Sequence, residues 1–83
     1  MFVFSPKDAL VNLKGIRTVD IWIEDAFEER WSVRFTFCKG KPCYISCKDM
    51  EHAETTLRKI QDCIIGGHPW CKITAEDIGT EED

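Results

Sequence analysis

The feature that most constrains the fold is an amphipathic stretch in the second half of the chain. Apolar residues recur there at spacings of three and four, and charged residues fill the positions between them. The apolar set is Met50, Ala53, Leu57, Ile60 and Ile64. This spacing is that of one face of an α-helix. Asp49 is a typical N-cap and Gly66-Gly67 with Pro69 is a typical stop, so the sequence predicts a helix from about Met50 to Ile65.

Two segments before the helix alternate apolar and polar residues, as strands with one buried face do. They span residues 19–24 and 31–37, and a short stretch without periodicity separates them. One antiparallel register matches both the charges and the apolar side chains. It pairs Glu24 with Arg30, Asp20 with Arg34, Ile21 with Val33 and Ile23 with Trp31. The two segments are therefore predicted to form a hairpin.

A third strand is predicted from Cys43 to Lys48, after a turn at Lys39-Gly40-Lys41-Pro42. The apolar side chains of this strand share a face with those of its neighbour only if the loop has an odd number of residues, three or five. The preferred register pairs Phe37 with Cys43, Phe35 with Ile45 and Val33 with Cys47.

The predicted architecture is α+β, an antiparallel sheet of three or four strands packed on one amphipathic C-terminal helix. The helix is expected on the sheet face that carries the apolar side chains of Ile21, Val33, Phe35 and Ile45, because that face is the only comparable apolar surface in the sequence. Residues 9–13 favour a first strand over a short helix that starts at Ser5, and Trp70 to Ile73 favour an edge strand. Residues 1–73 are predicted to form one domain, and residues 74–83 an acidic, solvated tail.

One stretch resembles known proteins. Leu10-Val11-Asn12-Leu13-Lys14-Gly15-Ile16, running into Val19-Asp20-Ile21, resembles the beginning of small uncharacterised bacterial and phage proteins. The resemblance covers residues 9–65. It implies a fold of a few strands and one C-terminal helix, and it carries no known site with it.

Charge and cysteine content narrow the functional classes. Residues 1–73 carry a net charge of +1 and five acids lie in the last ten residues, so neither an acidic DNA mimic nor a strongly basic nucleic-acid-binding domain is indicated. The five cysteines are an odd number, and no apolar run is long enough to cross a membrane. These features predict a protein of the reducing cytoplasm, in a bacterium or a host cell, with no membrane partner.

Cys63, His68 and Cys71 form a candidate zinc site around a tight Gly-Gly-His-Pro turn. Zinc would need a fourth ligand, from Cys43 or Cys47. The alternative is that these cysteines are small apolar residues where the helix meets the sheet. No cofactor is therefore predicted, and zinc stays an alternative.

No arrangement typical of catalysis is visible in the sequence. Cys38 lies beside Lys39 and Lys41, whose charge would favour a thiolate, but neither His52 nor His68 is tied to it by spacing. The sequence contains no phosphate-binding glycine loop, nucleophile elbow or paired catalytic acids. The chain is predicted not to be an enzyme.

The polar face of the predicted sheet has the composition of a binding surface. Trp22 and Tyr44 share it with Arg34, and these residue types dominate protein interfaces. Phe27 lies among acids between the first two strands, where an apolar ring either folds back or enters a partner's pocket. These four are the predicted partner-binding residues.

The sequence thus predicts a non-catalytic protein-binding module whose partner is another protein, with a homodimer left open. Small phage and bacterial regulators and inhibitors, anti-CRISPR proteins among them, share this size, an analogy of scale alone. One alternative is single-stranded RNA stacked on Trp22 and Tyr44, and the other is a small structural zinc protein. The near-neutral charge of residues 1–73 disfavours nucleic acid.

Overall fold

A computed structural model describes residues 1–6, 10–25, 27, 28 and 30–80. In chain order they form β1 (Phe2–Phe4), β2 (Leu10–Asn12), β3 (Ile16–Asp25), β4 (Arg30–Phe37), β5 (Cys43–Cys47), α1 (Met50–Ile65), β6 (Trp70–Lys72) and α2 (Ala75–Ile78). The strands make two three-stranded sheets. Sheet 1 has the order β2-β1-β6, and sheet 2 has the order β3-β4-β5. The α+β class is confirmed.

Helix α1 has the bounds that the periodicity predicted, Met50 to Ile65. The Asp49 side chain accepts a hydrogen bond from the backbone N–H of His52 at 2.9 Å, which satisfies one of the donors left free at a helix start. Gly67 has φ of +68°, the left-handed conformation expected of the glycine stop. The prediction that this helix is C-terminal is wrong, because β6 and α2 follow it and complete the core.

The predicted hairpin is confirmed over most of its length. Sheet 2 pairs Asp20 with Arg34, Ile21 with Val33, and Ile23 with Trp31. Beyond Ile23 the register shifts, and Arg30 lies opposite Asp25 rather than Glu24. A bulge near the loop therefore adds one residue to β3, and the charge match chosen for that position is wrong.

The predicted register of β4 with β5 is wrong by two residues. Phe35 lies opposite Cys43, and Val33 lies opposite Ile45. Pro42 lacks the N–H that would extend the pairing beyond Cys43, and Phe37, which lies opposite Ile16 of β3, has no partner in β5. A shift of two residues preserves the faces, so the predicted sorting of side chains between core and surface still holds.

Sheet 1 corrects the prediction of a single antiparallel sheet. β1 pairs antiparallel with β2, which confirms a strand rather than a helix at Leu10–Asn12, and it pairs parallel with β6. Strand β6 confirms the predicted edge strand. Strand β1 was not predicted. Residues 7–9, part of the alternative helix that starts at Ser5, lie outside the described residues.

One apolar core joins the two sheets and the helix. α1 contacts all three strands of sheet 2 and β6 of sheet 1. The predicted packing of the helix against Val33, Phe35 and Ile45 is confirmed. The buried apolar cluster consists of Val3, Leu13, Val33, Phe35, Ile45, Cys47, Ala53, Ile60, Cys71, Ile73 and Ile78. Neither helix in the described part of the chain has the length and apolar character needed to cross a bilayer.

The first residues of the segment predicted as an acidic tail pack on this core. Ala75 and Ile78 of α2 are buried, and Thr74 caps the helix by accepting a hydrogen bond from the backbone N–H of Asp77. The Asp77 carboxylate in turn accepts a hydrogen bond from Lys59 of α1 at 2.7 Å. Helix α2 is thus held on the core by its buried apolar side chains and by the ion pair between Asp77 and Lys59. Residues 81–83 lie outside the described residues.

Candidate functional site

The register of sheet 2 gathers three of the four predicted partner-binding residues on its outer face. Arg34 of the central strand lies opposite Asp20 on one side and opposite Tyr44 on the other. Trp22 is two residues from Asp20 and therefore points to the same side of the sheet. We call the surface formed by Asp20, Trp22, Arg34 and Tyr44 the Trp22 face.

Arg34 is held in one orientation on the Trp22 face. Its Nε donates to Asp20 Oδ1 at 3.0 Å and its Nη2 donates to Asp20 Oδ2 at 2.5 Å, so the guanidinium and the carboxylate meet by two parallel bonds. The guanidinium carbon lies 4.5 Å from the centroid of the Trp22 ring, within cation–π range. The hydrogen bonds to Asp20 raise the pKa of Arg34 above its ordinary value.

The aromatic side chains of the Trp22 face are accessible to solvent, whereas part of the central strand beside them is buried. Trp22 is 40% exposed and Tyr44 is 49% exposed. Ser32, which lies opposite Trp22 on the central strand, is only 2% exposed. Trp22 and Tyr44 therefore present much of their surface to solvent, while Ser32 of the central strand is buried.

Phe27 lies apart from the Trp22 face. It is 98% exposed, and its backbone N–H donates to Asp25 Oδ1 at 2.9 Å, which fixes the turn without covering the ring. The alternative in which Phe27 folds back is therefore wrong. Trp22 lies three residues before the end of β3 at Asp25, a rise of roughly 10 Å, so one partner of ordinary interface size can contact both the loop and the Trp22 face. Ala26 and Glu29 of the same loop lie outside the described residues.

A second exposed aromatic surface was missed by the sequence reasoning. Phe2, Phe4 and Leu10 share the outer side of sheet 1 with Trp70, and these four side chains are 41% to 57% exposed. The rings of Phe4 and Trp70 meet edge to face, with centroids 6.2 Å apart and planes at 84°. We call the surface formed by Phe2, Phe4, Leu10 and Trp70 the Trp70 face. Its signal was the alternation in Phe2-Val3-Phe4 and Trp70-Cys71-Lys72, which is too short to identify a strand.

An open groove of about 1160 Å³ borders the Trp70 face. Aromatic rings line one part of it, and residues 73–76, at the start of α2, line another. Lys72 and Glu76 are the charged residues in the lining. The groove is therefore mostly apolar, with one charge of each sign.

The residues of the candidate zinc site come near one another without forming a ligand set. Cys63, His68 and Cys71 all line one depression of about 430 Å³. Within the described ranges, however, no group of three or more Cys, His, Asp or Glu side chains is placed to hold a metal ion. Burial, with the hydrogen bond and charge of neighbouring Cys63, raises the pKa of Cys71 to about 12. In the metal-free chain that thiol therefore stays protonated at neutral pH.

The other cysteine and histidine groups have structural surroundings. Burial raises the pKa of Cys47, whose Sγ lies 4.0 Å from Thr56 Oγ1. His52 Nδ1 lies 2.6 Å from Asp49 Oδ1 and so belongs to the cap of α1. Cys38 and Cys43 are exposed, and all five cysteines, each within the described ranges, are free thiols. Cys47 and His52 therefore serve the core and the helix cap.

No protein-family model, curated protein or solved structure matches the chain. The functional interpretation therefore depends on the two aromatic faces and their chemistry.

Proposed function

We propose that the chain is a non-catalytic protein-binding module that contacts its partner through the Trp22 face, with Phe27 as an outlying anchor. The observation that carries the proposal is the fixed stack of Arg34 on Trp22. Interface hot spots are enriched in Trp, Tyr and Arg, and the Trp22 face presents one of each on adjacent strands. Because Asp20 already holds Arg34, binding costs less side-chain entropy than it would for a free arginine.

The charge of the Trp22 face favours a protein partner over nucleic acid. Asp20 compensates the guanidinium of Arg34 by two hydrogen bonds, so this arginine has little charge left for a phosphate. Binding of single-stranded RNA normally combines stacking aromatics with a strongly basic groove. The Trp22 face supplies the stacking aromatic side chains of that combination but not the basic groove.

The role we propose is that of a small regulator or inhibitor that acts by occupying a surface of its partner, in a reducing cytoplasm of bacterial or host-cell type. Two observations support this role, the size of the chain and the state of its cysteines. A chain of 83 residues has room for one core and for surfaces around it. Five free thiols, two of them buried, fit a reducing compartment.

The experiment is affinity capture followed by a binding titration. The tagged protein is exposed to a reduced lysate of its source, captured proteins are identified by quantitative mass spectrometry, and the main one is purified. Trp22→Ala should then weaken its binding about 30-fold or more, the size of a hot-spot loss of about 2 kcal/mol. Tyr44→Ala should weaken it in the same direction.

Ile65→Ala is the matched control for these variants. Ile65 lies at the end of α1, is 84% exposed, and belongs to neither aromatic face. The affinity of Ile65→Ala for the partner should stay within about threefold of the wild-type affinity, as expected when an apolar side chain outside the interface is shortened. Equal affinities for the wild type, Trp22→Ala and Tyr44→Ala would contradict the proposal.

A parallel titration with a labelled single-stranded oligouridine separates the RNA alternative. We expect no binding at 10 μM protein in either about 50 or about 200 mM salt. Tight binding that weakens steeply with salt and is lost in Trp22→Ala would replace the protein-binding function with an RNA-binding one.

A further inference from the structure

Sheet 1 is apolar on both of its faces. Val3 and Cys71 point inward and are almost fully buried in the core. Phe2, Phe4 and Trp70 alternate with them and point outward. Sheets with two apolar faces are normally covered on both. Within the described residues no second layer covers the Trp70 face, where each of its four side chains is at least 41% exposed.

The exposed area is of the size that a stable interface needs. Aromatic side chains bury 150–250 Å² each when fully covered, so the exposed parts of Phe2, Phe4, Leu10 and Trp70 together present roughly 400 Å². A standard interface buries about 800 Å² on each partner, of which somewhat more than half is apolar. The Trp70 face therefore supplies most of the apolar area that one side of such an interface requires.

The shape and charge of this surface suit a second copy of the same surface. Trp70, more than half exposed, projects beside a groove of about 1160 Å³ that it also lines, so a projecting group and a recess occupy one patch. A twofold axis through such a patch would place the Trp70 of each copy against the groove of the other. The groove has one cation, Lys72, and one anion, Glu76, so two copies meet without a net charge of either sign at the contact.

We propose that the chain forms a twofold-symmetric homodimer in which the Trp70 face of each copy covers the Trp70 face of the other. The Trp22 face lies on the other sheet and shares no residue with this interface. The dimer therefore presents two Trp22 faces. A partner that is itself multimeric or surface-bound would be held by both, with the gain in apparent affinity that linked binding gives.

The dimer is tested first on the wild-type protein. Sedimentation equilibrium and light scattering from about 1 to 200 μM should show a concentration-dependent rise from 9.6 kDa toward twice that mass. Hydrogen exchange at the two ends of this range should show added protection at residues 2–4 and 70–72 in the concentrated sample. A monomer throughout the range overturns the proposal. Protection confined to β3 and β5 overturns it as well, since the dimer would then use the Trp22 face.

Variants locate the contact. Trp70→Lys should raise the dimer dissociation constant at least 100-fold, because it removes the projecting ring and places two like charges in the interface. Ile65→Lys, on an exposed apolar residue outside both faces, should stay within threefold. Circular dichroism and thermal melting confirm that each variant is folded. Should Trp70→Lys not fold, Lys72→Glu gives the same test, since it turns the balanced lining into an acidic one. A dimer that tolerates the folded variant overturns the proposal.

The dimer does not depend on the proposed function. Loss of the dimer in Trp70→Lys with capture still sensitive to Trp22→Ala supports both. A monomeric wild type that still loses its partner in Trp22→Ala overturns the dimer alone. Native mass spectrometry adds a further check, because a monomer that carries a co-purified small molecule would assign the groove to that molecule and overturn the dimer.

Discussion

Substitution of Asp77 should destabilise the fold more than its place near the end of the chain suggests. Its carboxylate Oδ2 accepts three hydrogen bonds: from Lys59 Nζ at 2.7 Å, from the Thr74 backbone N–H at 2.9 Å and from Thr74 Oγ1 at 3.0 Å. Its own backbone carbonyl accepts a fourth bond, from Thr56 Oγ1 at 3.1 Å. The Asp77 side chain is only 19% exposed. Asp77 therefore joins the start of α2 to the middle of α1.

The size of the effect follows from these contacts. Asp77→Ala keeps the capping bond from its backbone N–H to Thr74 Oγ1 but removes the reciprocal bonds that its carboxylate accepts from Thr74, a loss of about 1 kcal/mol. The pair with Lys59 is worth up to about 1 kcal/mol, because Lys59 is 39% exposed and can be rehydrated. Asp77→Ala should thus cost about 2 kcal/mol. For a domain of this size that corresponds to a fall in Tm of roughly 8–16 °C.

The assay is urea unfolding followed by circular dichroism, with Lys59→Met and Asp62→Ala as companions. Lys59→Met should cost no more than about 1 kcal/mol, because the bonds from Thr74 to the Asp77 carboxylate survive. Asp62 is exposed on α1, and its substitution should change the free energy of unfolding by less than about 0.5 kcal/mol. Were Asp77→Ala to cost no more than Lys59→Met, the bonds from Thr74 to the Asp77 carboxylate would contribute nothing and the reasoning would fail.

The same residue sets a pH dependence with a definite sign. Burial alone would raise the pKa of Asp77, but the hydrogen bonds from Lys59 and Thr74 outweigh it and hold the pKa below its ordinary value. Stability from this group is therefore fully present above the unfolded-state pKa of about 3.9 and is lost as the pH falls through the lower folded-state value. Asp77→Asn should show a smaller loss of stability in that acid range than the wild type. An unchanged acid slope would contradict the assignment.

Three further outcomes follow from individual positions. Gly79→Ala should cost clearly more stability than Gly15→Ala: both glycines have φ near +80°, but a Cβ at Gly79 would lie 2.8–2.9 Å from neighbouring side chains, whereas one at Gly15 meets nothing within 4 Å. Equal losses in urea unfolding would show that the close contact has no cost. Ile60 is fully buried, so Ile60→Ala should lower the free energy of unfolding by about 2–5 kcal/mol. A loss under about 1 kcal/mol would refute the place of Ile60 in the core. Iodoacetamide labelling followed by peptide mapping should modify Cys38 at least 100-fold faster than Cys71, which is 2% exposed, and similar rates would contradict the burial of Cys71.

The sequence predicted the elements whose signal is long and local. Sixteen residues of helical periodicity with a cap and a glycine stop determine α1 without help from other elements. The central part of the hairpin was predictable because Asp20 with Arg34 and Ile21 with Val33 select the same register by charge and by apolar matching. These pairs also place Trp22 and Arg34 on one face, and Tyr44 joins them because the two-residue error in the register of β5 changes no side chain's face. The Trp22 face could therefore be proposed before the structure was known.

Sheet 1 could not be predicted because its strands are short and their pairing is distant. Strands β1 and β6 have three residues each and lie 66 residues apart in the chain, so their parallel pairing is set by the core that encloses Val3 and Cys71. Three alternating residues do not distinguish a strand from a loop. The Trp70 face, which depends on that pairing, was missed for the same reason. The two-residue error in the predicted register of β5 could not be recognised from the sequence, because both registers place every side chain on the same face of the sheet.

The distribution of aromatic residues connects both proposals to the energetics of folding. Six of the nine aromatic side chains are at least 40% exposed, and Phe35 is the one that is completely buried. The core is instead built mainly from Val, Ile, Leu, Ala and Cys. A domain of this size has little stability to spare, and burial of apolar area is the main source of that stability. The exposed rings of the Trp22 face, stacked with Arg34, and of the Trp70 face, beside the groove, contribute little to the stability of the isolated chain. Their area becomes stabilising when another surface covers them, which is what the partner at the Trp22 face and the second copy at the Trp70 face would each provide.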